Sequence, residues 1–292
     1  MISKQQGVAL ILVLWVVVLL TVMATSLTAI QRSETQLTQL ALASSRAEAA
    51  LTAGVYYAVQ QLQVVNPQWR WQGDGRPYLW QFQDYRLRIT IQDERGLLNP
   101  NSVDRPLWSA LLQLAGSSAR EAEQLYDQLQ DWRDRDQLQS LNGAEDALYI
   151  ASGVPYGAAD EPLVSIEELL LLLQMSPQLY QQLRPLLSLR AAAQPDWMLA
   201  PLPLLQAAQL AQSGDPQQLQ QRINALTFGA AMSENSLSSQ GDTFRIVVWI
   251  DAIRGEQVND GQYSVAATLQ LTGLERAGYH IIGWQRAPLS RF

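Results

Sequence analysis

The chain has 292 residues, no cysteine, one histidine and a formal net charge of −7, with 48% of its residues apolar and 16% charged. That length allows two compact units besides a membrane segment, the absent thiols exclude disulfides and thiolate metal sites, and the acidic balance argues against nucleic-acid binding. With a single histidine, His280, in a late strand pattern and no Gly-x-Ser-x-Gly motif beside it, most nucleophilic and zinc chemistries fall away as well.

At the N-terminus, Lys4 is the only lysine in the chain, Gly7 follows it, and no further charge appears until Arg32. The uncharged run 8–29, if helical, crosses a bilayer core of roughly 30 Å at about 1.5 Å per residue. Three readings compete. A secretory signal peptide would be cut near Val22-Met23-Ala24, and a plain anchor would keep its N-terminus. A leader ending Lys4-Gln5-Gln6-Gly7 would be cut before Val8, leaving the helix on the mature chain, an arrangement that resembles type IV pilin and pseudopilin leaders. From residue 31 to 63 there is no proline and one glycine, and Leu37, Leu40, Ala41, Ala47, Leu51, Val55, Ala58, Val59 and Leu62 recur at spacings of three and four. This amphipathic stripe continues the apolar helix without a break.

Asn66-Pro67 ends the helical pattern, and Gly73-Asp74-Gly75-Arg76-Pro77 reads as a turn. Residues 78–92 read as a strand region, with Tyr85, Leu87, Ile89 and Ile91 alternating against polar neighbours. Helical patterns then follow at about 104–115, 118–132, 143–151, 165–174, 177–187, 203–213 and 216–226. Capping boxes stand at Ser118 with Glu121 and at Ser165 with Glu168, and Asp215-Pro216 opens the last of these helices. Strand alternation returns at Phe244, Ile246, Val248 and Ile250, again at Tyr263 to Leu271, and at Tyr279 to Arg286. An isolated early strand pair would be marginal, so it needs the late strands as partners, and the helical block becomes an insertion into one sheet.

Two polar signatures flank the start of that insertion. The first, Asp93-Glu94-Arg95-Gly96-Leu97-Leu98-Asn99-Pro100-Asn101-Ser102, reads as a turn or as a packed polar joint between sheet and insertion. The second places five carboxylates, Asp131, Asp134, Asp136, Glu145 and Asp146, within sixteen residues. Oxygen-rich clusters suit a hard cation such as calcium, although the spacing is not that of an EF-hand. Arg133 and Arg135 offer the other reading, an ion-pair network at the surface.

The leader, the strand ending in the Asp93 to Asn101 motif, Asp131-Trp132-Arg133-Asp134-Arg135-Asp136, Gly143-Ala144-Glu145-Asp146 with Tyr149, and Ser165-Ile166-Glu167-Glu168-Leu169 occur in this order. Together, over roughly 1–190, they resemble general secretion pathway protein K, the large minor pseudopilin of bacterial type II secretion. A second asparagine-rich segment usual in that family is not seen at Ala191 to Pro201, which marks a divergent member. The resemblance implies a pilin-like α+β fold: a long N-terminal transmembrane and amphipathic helix packed on an antiparallel sheet, with a large all-α insertion. It divides the chain into a leader 1–7, a membrane half-helix 8–29, a soluble half-helix 30–63, an α+β domain from 64–101 and 241–292, and an insertion 102–240.

The resemblance further implies cleavage between Gly7 and Val8, methylation of Val8, and a non-catalytic role at the pseudopilus tip in exporting folded proteins across the outer membrane. Leu12 stands where most pilin-like proteins carry a glutamate that pairs with a neighbour's amine, as suits a subunit at a filament end. Calcium, held by Asp131, Asp134, Asp136, Glu145 and Asp146, would clamp the loops of the insertion. The implied partners are the other minor pseudopilins, the major pseudopilin, the inner-membrane assembly platform and prepilin peptidase. The implied location is the bacterial inner membrane, single-pass, with a cytoplasmic N-terminus and the bulk of the chain periplasmic. The alternatives are a minor pilin of a type IV pilus or related filament, and a membrane-anchored hydrolase using a pair such as Asp134 with Glu145.

Overall fold

The computed structural model describes residues 6–66, 68–228, 242–253, 256–257, 263–272 and 278–286, with backbone alone for 6–9, 11, 24–35, 227–228 and 256–257. It divides into two units, 1–50 and 51–292. Helix α1 (Gln6–Leu62) begins in the first and ends in the second. Gly7 and Val8 are helical in backbone, while Lys4 lies outside the described residues. Among the described residues, no helix is long and apolar enough to cross a membrane. The described side chains Leu12 to Met23 are exposed and apolar apart from Thr21. Farther along, Leu37 and Leu40 are 63% and 67% exposed, so the apolar stripe is not buried along its whole length.

Within the larger unit, the end of α1 buries Leu51, Val55, Ala58, Val59 and Leu62. Gly54 explains how close the helix comes to the sheet. A Cβ there would stand 2.7 Å from a Val248 methyl and 3.2 Å from one of Leu87, so only hydrogen fits. Mid-helix glycine costs roughly 1 kcal/mol against alanine, a penalty offset here by contact along the rest of the face.

Strands β1 (Asp74–Phe82) and β2 (Tyr85–Asp93) form a hairpin, β3 (Thr243–Ile253) and β5 (Ser264–Leu271) pair in the middle, and β6 (Tyr279–Arg286) lies at the far edge. The order is β1-β2-β3-β5-β6, every pair antiparallel, with the two-residue β4 (Glu256–Gln257) attached to β3. Chain distant in sequence therefore becomes adjacent: β2 pairs β3 from Tyr85 against Ile253 to Asp93 against Phe244. Two expectations change. The stretch 74–77, read as a turn, belongs to β1, where a register irregularity between Asp74 and Pro77 absorbs the positive φ of Gly75 and the missing proline N–H. In β3, both faces are buried rather than one, since Val247 and Trp249 form a small cluster with Ala266 opposite the α1 side.

Between β2 and β3 lie α2 (Arg105–Leu114), α3 (Ala119–Arg133), α4 (Asp146–Ala151), α5 (Pro177–Leu183), α6 (Leu202–Leu210) and α7 (Pro216–Phe228). Their shared core contains Trp108, Leu112, Leu125, Leu129, Tyr149, Leu183, Leu204 and Leu205. The capping box at Ser118 is formed, and Asp104 and Ser176 cap α2 and α5. The helix expected at 165–174 is instead a 3-10 helix, Ile166–Leu171, behind its own capping box at Ser165. Leu169 and Leu172 are buried while Leu170 and Leu171 between them are exposed, and a three-residue repeat suits the tighter helix. At the far end, Arg222 of α7 is fully buried and donates to the Asp74 carbonyl at 2.8 Å, tying the last helix back to β1.

Candidate functional site

Where β2 ends, the first polar signature becomes the joint between sheet and helices. Asp93 accepts from the backbone N–H of Arg95 at 2.9 Å and from its guanidinium Nη2 at 2.9 Å, closing a 3-10 turn, Glu94–Gly96. Glu94, only 3% exposed, accepts from Ser188 Oγ at 3.0 Å and lies 3.5 Å from the Arg245 guanidinium. Arg245 in turn donates to the carbonyls of Pro185 and Leu187 at 3.1 and 3.0 Å. Leu98 forms an isolated parallel bridge with Leu187. Asn99 donates to the Ala191 carbonyl at 2.8 Å, and Asn101 makes a reciprocal pair with the Leu163 backbone, both bonds 2.9 Å. Gly96 faces Leu199 so closely that a Cβ would sit 2.4 Å from its carbonyl oxygen. The motif is thus a packed polar joint, and its asparagines satisfy carbonyls and an amide that the buried turn would otherwise orphan.

From α3 hangs the acidic loop. Asp127 and Asp131, four residues apart on one helix face, are both buried and both bind the loop that follows. Asp127 accepts from the Asn142 N–H at 3.2 Å and its amide at 3.1 Å, and also pairs with Arg105 at 2.7 Å. Asp131 accepts from the Ser140 N–H at 3.2 and 3.1 Å. Gly143 lets the loop close over that carboxylate: a Cβ would lie 1.9 Å from an Asp131 oxygen. These two aspartates hold residues 140–143 by hydrogen bonds.

The remaining carboxylates are poorly partnered. Glu145 is 5% exposed, and neither of its oxygens has a hydrogen-bond partner among the described residues. Burial, and then the charges of Asp131, Asp134, Asp160 and Asp136, push its carboxyl up to about 7. Asp134 is raised as well, first by burial and then by Asp136, Asp131 and Asp160, and its Oδ1 is buried without a partner. Asp160, held at φ 54°, and Gln130 each bury one more unpartnered oxygen. Asp136 accepts from the Leu138 N–H within its own loop, and Asp146 accepts from the Ala158 N–H at 3.0 Å above Gly157. The five expected residues therefore divide: Asp131, Asp134, Asp136 and Glu145 share one negative neighbourhood, whereas Asp146 is committed to the turn at 157–158.

Sequence reading missed Asp160, whose only signal was a carboxylate in a Gly- and Pro-rich loop. The ion-pair alternative keeps one electrostatic contact, Arg133 with Asp134. Arg133 turns away to donate to the Pro100 carbonyl, Arg135 is exposed, and neither forms a salt bridge with the described carboxylates. The rival catalytic pair, Asp134 with Glu145, stands in a cluster that repels its own charge, and His280 lies exposed on β6. As the side chains stand, no three His, Cys, Asp or Glu among the described residues converge to hold a metal ion. In donor chemistry, however, buried oxygens with no cation beside them are what a hard dication requires.

Residues 89–192, covering both the joint and the acidic loop, match the family described as type II secretion system (T2SS), protein K. The chain is similar to the type II secretion system protein K of Klebsiella pneumoniae, 30% identical over 206 residues, or 62% of each chain. It is similar also to that of Pectobacterium carotovorum subsp. carotovorum, 28% identical over 206 residues (63% of this chain, 62% of the relative). A shorter match to the Aeromonas hydrophila protein is 32% identical over 121 residues, 35% of this chain and 37% of the relative. The chain thus spans about three fifths of the length of the first two relatives. Among solved structures, it is similar to a chain of the GspK-GspI-GspJ complex from the enterotoxigenic Escherichia coli Type 2 Secretion System, with TM-score 0.48, 18% identity, and coverage of 87% of this chain and 98% of that one. With its motifs lying in order on the joint and the loop that the family match covers, the chain is similar over this region to the type II secretion system protein K family.

Proposed function

We propose that this protein is a minor pseudopilin that sits at the tip of the type II secretion pseudopilus, helps initiate it, and has a structural rather than catalytic part in export. The observation that carries the reading is the insertion of a whole helical block between two paired strands, β2 and β3, through a joint built from the family-matched residues. A subunit enlarged in this way suits the end of a filament, where no further copy must stack on it. Leu12 supports the same reading, because a helix without a membrane glutamate offers no ion pair to a neighbour's N-terminal amine.

In this reading the leader 1–7 is removed at Gly7, Val8 becomes the mature and methylated N-terminus, and residues 8–29 anchor the chain in the inner membrane with its bulk in the periplasm. Its partners are the other minor pseudopilins, the major pseudopilin, the assembly platform and prepilin peptidase. Calcium suits the acidic loop by the chemistry of its oxygens alone, since the side chains as they stand do not converge. Asp131, Asp134, Asp136 and Glu145, joined by Asp160, would hold it, and Asp146 would support the adjoining turn. The ion would neutralise carboxylates that otherwise repel one another across the loops of the insertion.

The test is co-expression of the full chain with the other minor pseudopilins of its own system. Co-purification with at least one of them after detergent extraction is expected. Failure to co-purify with any would remove the tip assignment.

A further inference from the structure

Asn142-Gly143 is the one Asn-Gly pair in the chain. Such a pair is chemically weak: the backbone nitrogen that follows can attack the asparagine amide carbon, and glycine puts no side chain in the way. The structure requires both residues all the same. Asp127 holds the loop through Asn142, accepting from its N–H at 3.2 Å and from its side-chain amide at 3.1 Å. Gly143 is needed because a Cβ would stand 1.9 Å from an Asp131 oxygen. The loop is therefore built on two residues that can react with each other.

While the loop is closed, both reacting groups are engaged. The Gly143 N–H donates to the Ser140 carbonyl at 3.0 Å, and the Gly143 carbonyl accepts from Gln139 at 2.8 Å. The Asn142 amide nitrogen donates to Asp127, which keeps the amide from turning. Attack needs the Gly143 nitrogen to lose its proton and the Asn142 amide to swing over the backbone, so both hydrogen bonds must break first. The buried carboxylates of Asp127 and Asp131 add to the barrier, because negative charge forming on that nitrogen is repelled by them.

We propose that Asn142 is a modification site gated by this loop: it deamidates when the loop opens, and the product cannot close the loop again. In the step, the Gly143 nitrogen bonds to Asn142 Cγ, the Cγ–Nδ2 bond breaks, and ammonia leaves with the proton from Gly143. Water then opens the succinimide, at the side-chain carbonyl to give aspartate or at the backbone carbonyl to give isoaspartate. Either product replaces a donor amide with a carboxylate beside Asp127, turning a hydrogen bond into a repulsion. Isoaspartate also lengthens the backbone ahead of Gly143, which has no room to shift toward Asp131. The change is one-way and adds a negative charge to the acidic loop.

The experiment incubates the full-length chain in detergent micelles and mildly alkaline buffer, native and in urea, and follows the mass of the peptide that spans Asn142. In urea, Asn142 should convert faster than any other asparagine of the chain. In the native parent it should convert at least about tenfold more slowly than in urea. Asp127→Ala, checked for native circular dichroism, should convert about tenfold faster than the native parent, the factor for losing one hydrogen bond to a charged group. Asn142→Asp, which carries the aspartate product from the start, should be cut by protease within 134–146 faster than the parent. Equal rates native and in urea, a faster asparagine elsewhere in urea, no acceleration in Asp127→Ala, or cutting of Asn142→Asp at the parent's rate would each overturn the inference. Should Asp127→Ala fail to fold, the comparison of native with urea and the cutting of Asn142→Asp decide.

Discussion

Gly96 shows how one residue can control the meeting of two parts of the fold. Its missing side chain lets the turn after β2 press on the Leu199 carbonyl, and neither side of that contact is a flexible side-chain end. Gly96→Ala should therefore cost about 2 kcal/mol as overpacking, seen as a fall in Tm of roughly 4–8 °C. Gly283→Ala is the control, since its Cβ meets ordinary contacts, and it should melt within about 2 °C of the parent. Equal melting of the two variants would show that the joint is slack enough to absorb a methyl. Glu145 is the opposite kind of residue: its carboxylate is buried among like charges with no partner among the described residues, a cost to the fold that a dication would relieve. Calcium at about a hundred times its Kd should raise Tm by roughly 5–10 °C, and clearly less in Glu145→Gln. An equal rise in both would take Glu145 out of the cation site.

At the scale of elements, α3 organises the insertion. Its capped N-terminus fixes where the helix starts, and its last two turns carry Asp127 and Asp131, which suspend the loop 140–143 by hydrogen bonds. Asp127→Ala should therefore loosen that loop with or without calcium. Limited proteolysis should cut Asp127→Ala within 134–146 at least about tenfold faster than the parent, the factor expected if opening becomes easier by some 1.4 kcal/mol. No change in cutting would mean that core packing, not these hydrogen bonds, holds the loop. The second tie of the insertion is the buried pair of Arg222 and Asp74, which fastens α7 to β1 across 148 positions of sequence.

At the scale of the molecule, the assignment as a processed pseudopilin meets its sharpest test at the N-terminus. The mass of the N-terminal peptide from cells with prepilin peptidase should correspond to a chain beginning at Val8 and carrying one methyl group, and from cells without it to an unprocessed chain. An intact leader in both would leave a plain anchor, and a start near Ser26 would mean a secreted protein. The net charge of −7 adds that calcium, on the proposed reading, would act on a chain already rich in repulsion, so its effect should weaken as salt screens the exposed carboxylates.

Much of the fold is legible in local chemistry alone. Helix starts are readable because Ser118, Ser165 and Asp215 satisfy N–H groups within four residues of themselves. The strands of the sheet are readable because one-sided burial writes an alternation into Leu87, Ile89 and Ile91 and again into Phe244, Ile246 and Val248. Even the insertion follows, since the early hairpin has no partners nearby in sequence. Long-range packing decided the rest. The burial of both faces of β3 depends on what the helical block lays across Arg245 and Val247, which no alternation in β3 alone records. The strand at 74–77 looks like a turn because glycine and proline are turn residues, and only its pairing with β2 across a bulge makes it a strand. Spacing groups Asp146 with its neighbours, whereas folding gave it to Ala158 and brought in Asp160, because a carboxylate's role is set by which N–H groups and charges surround it.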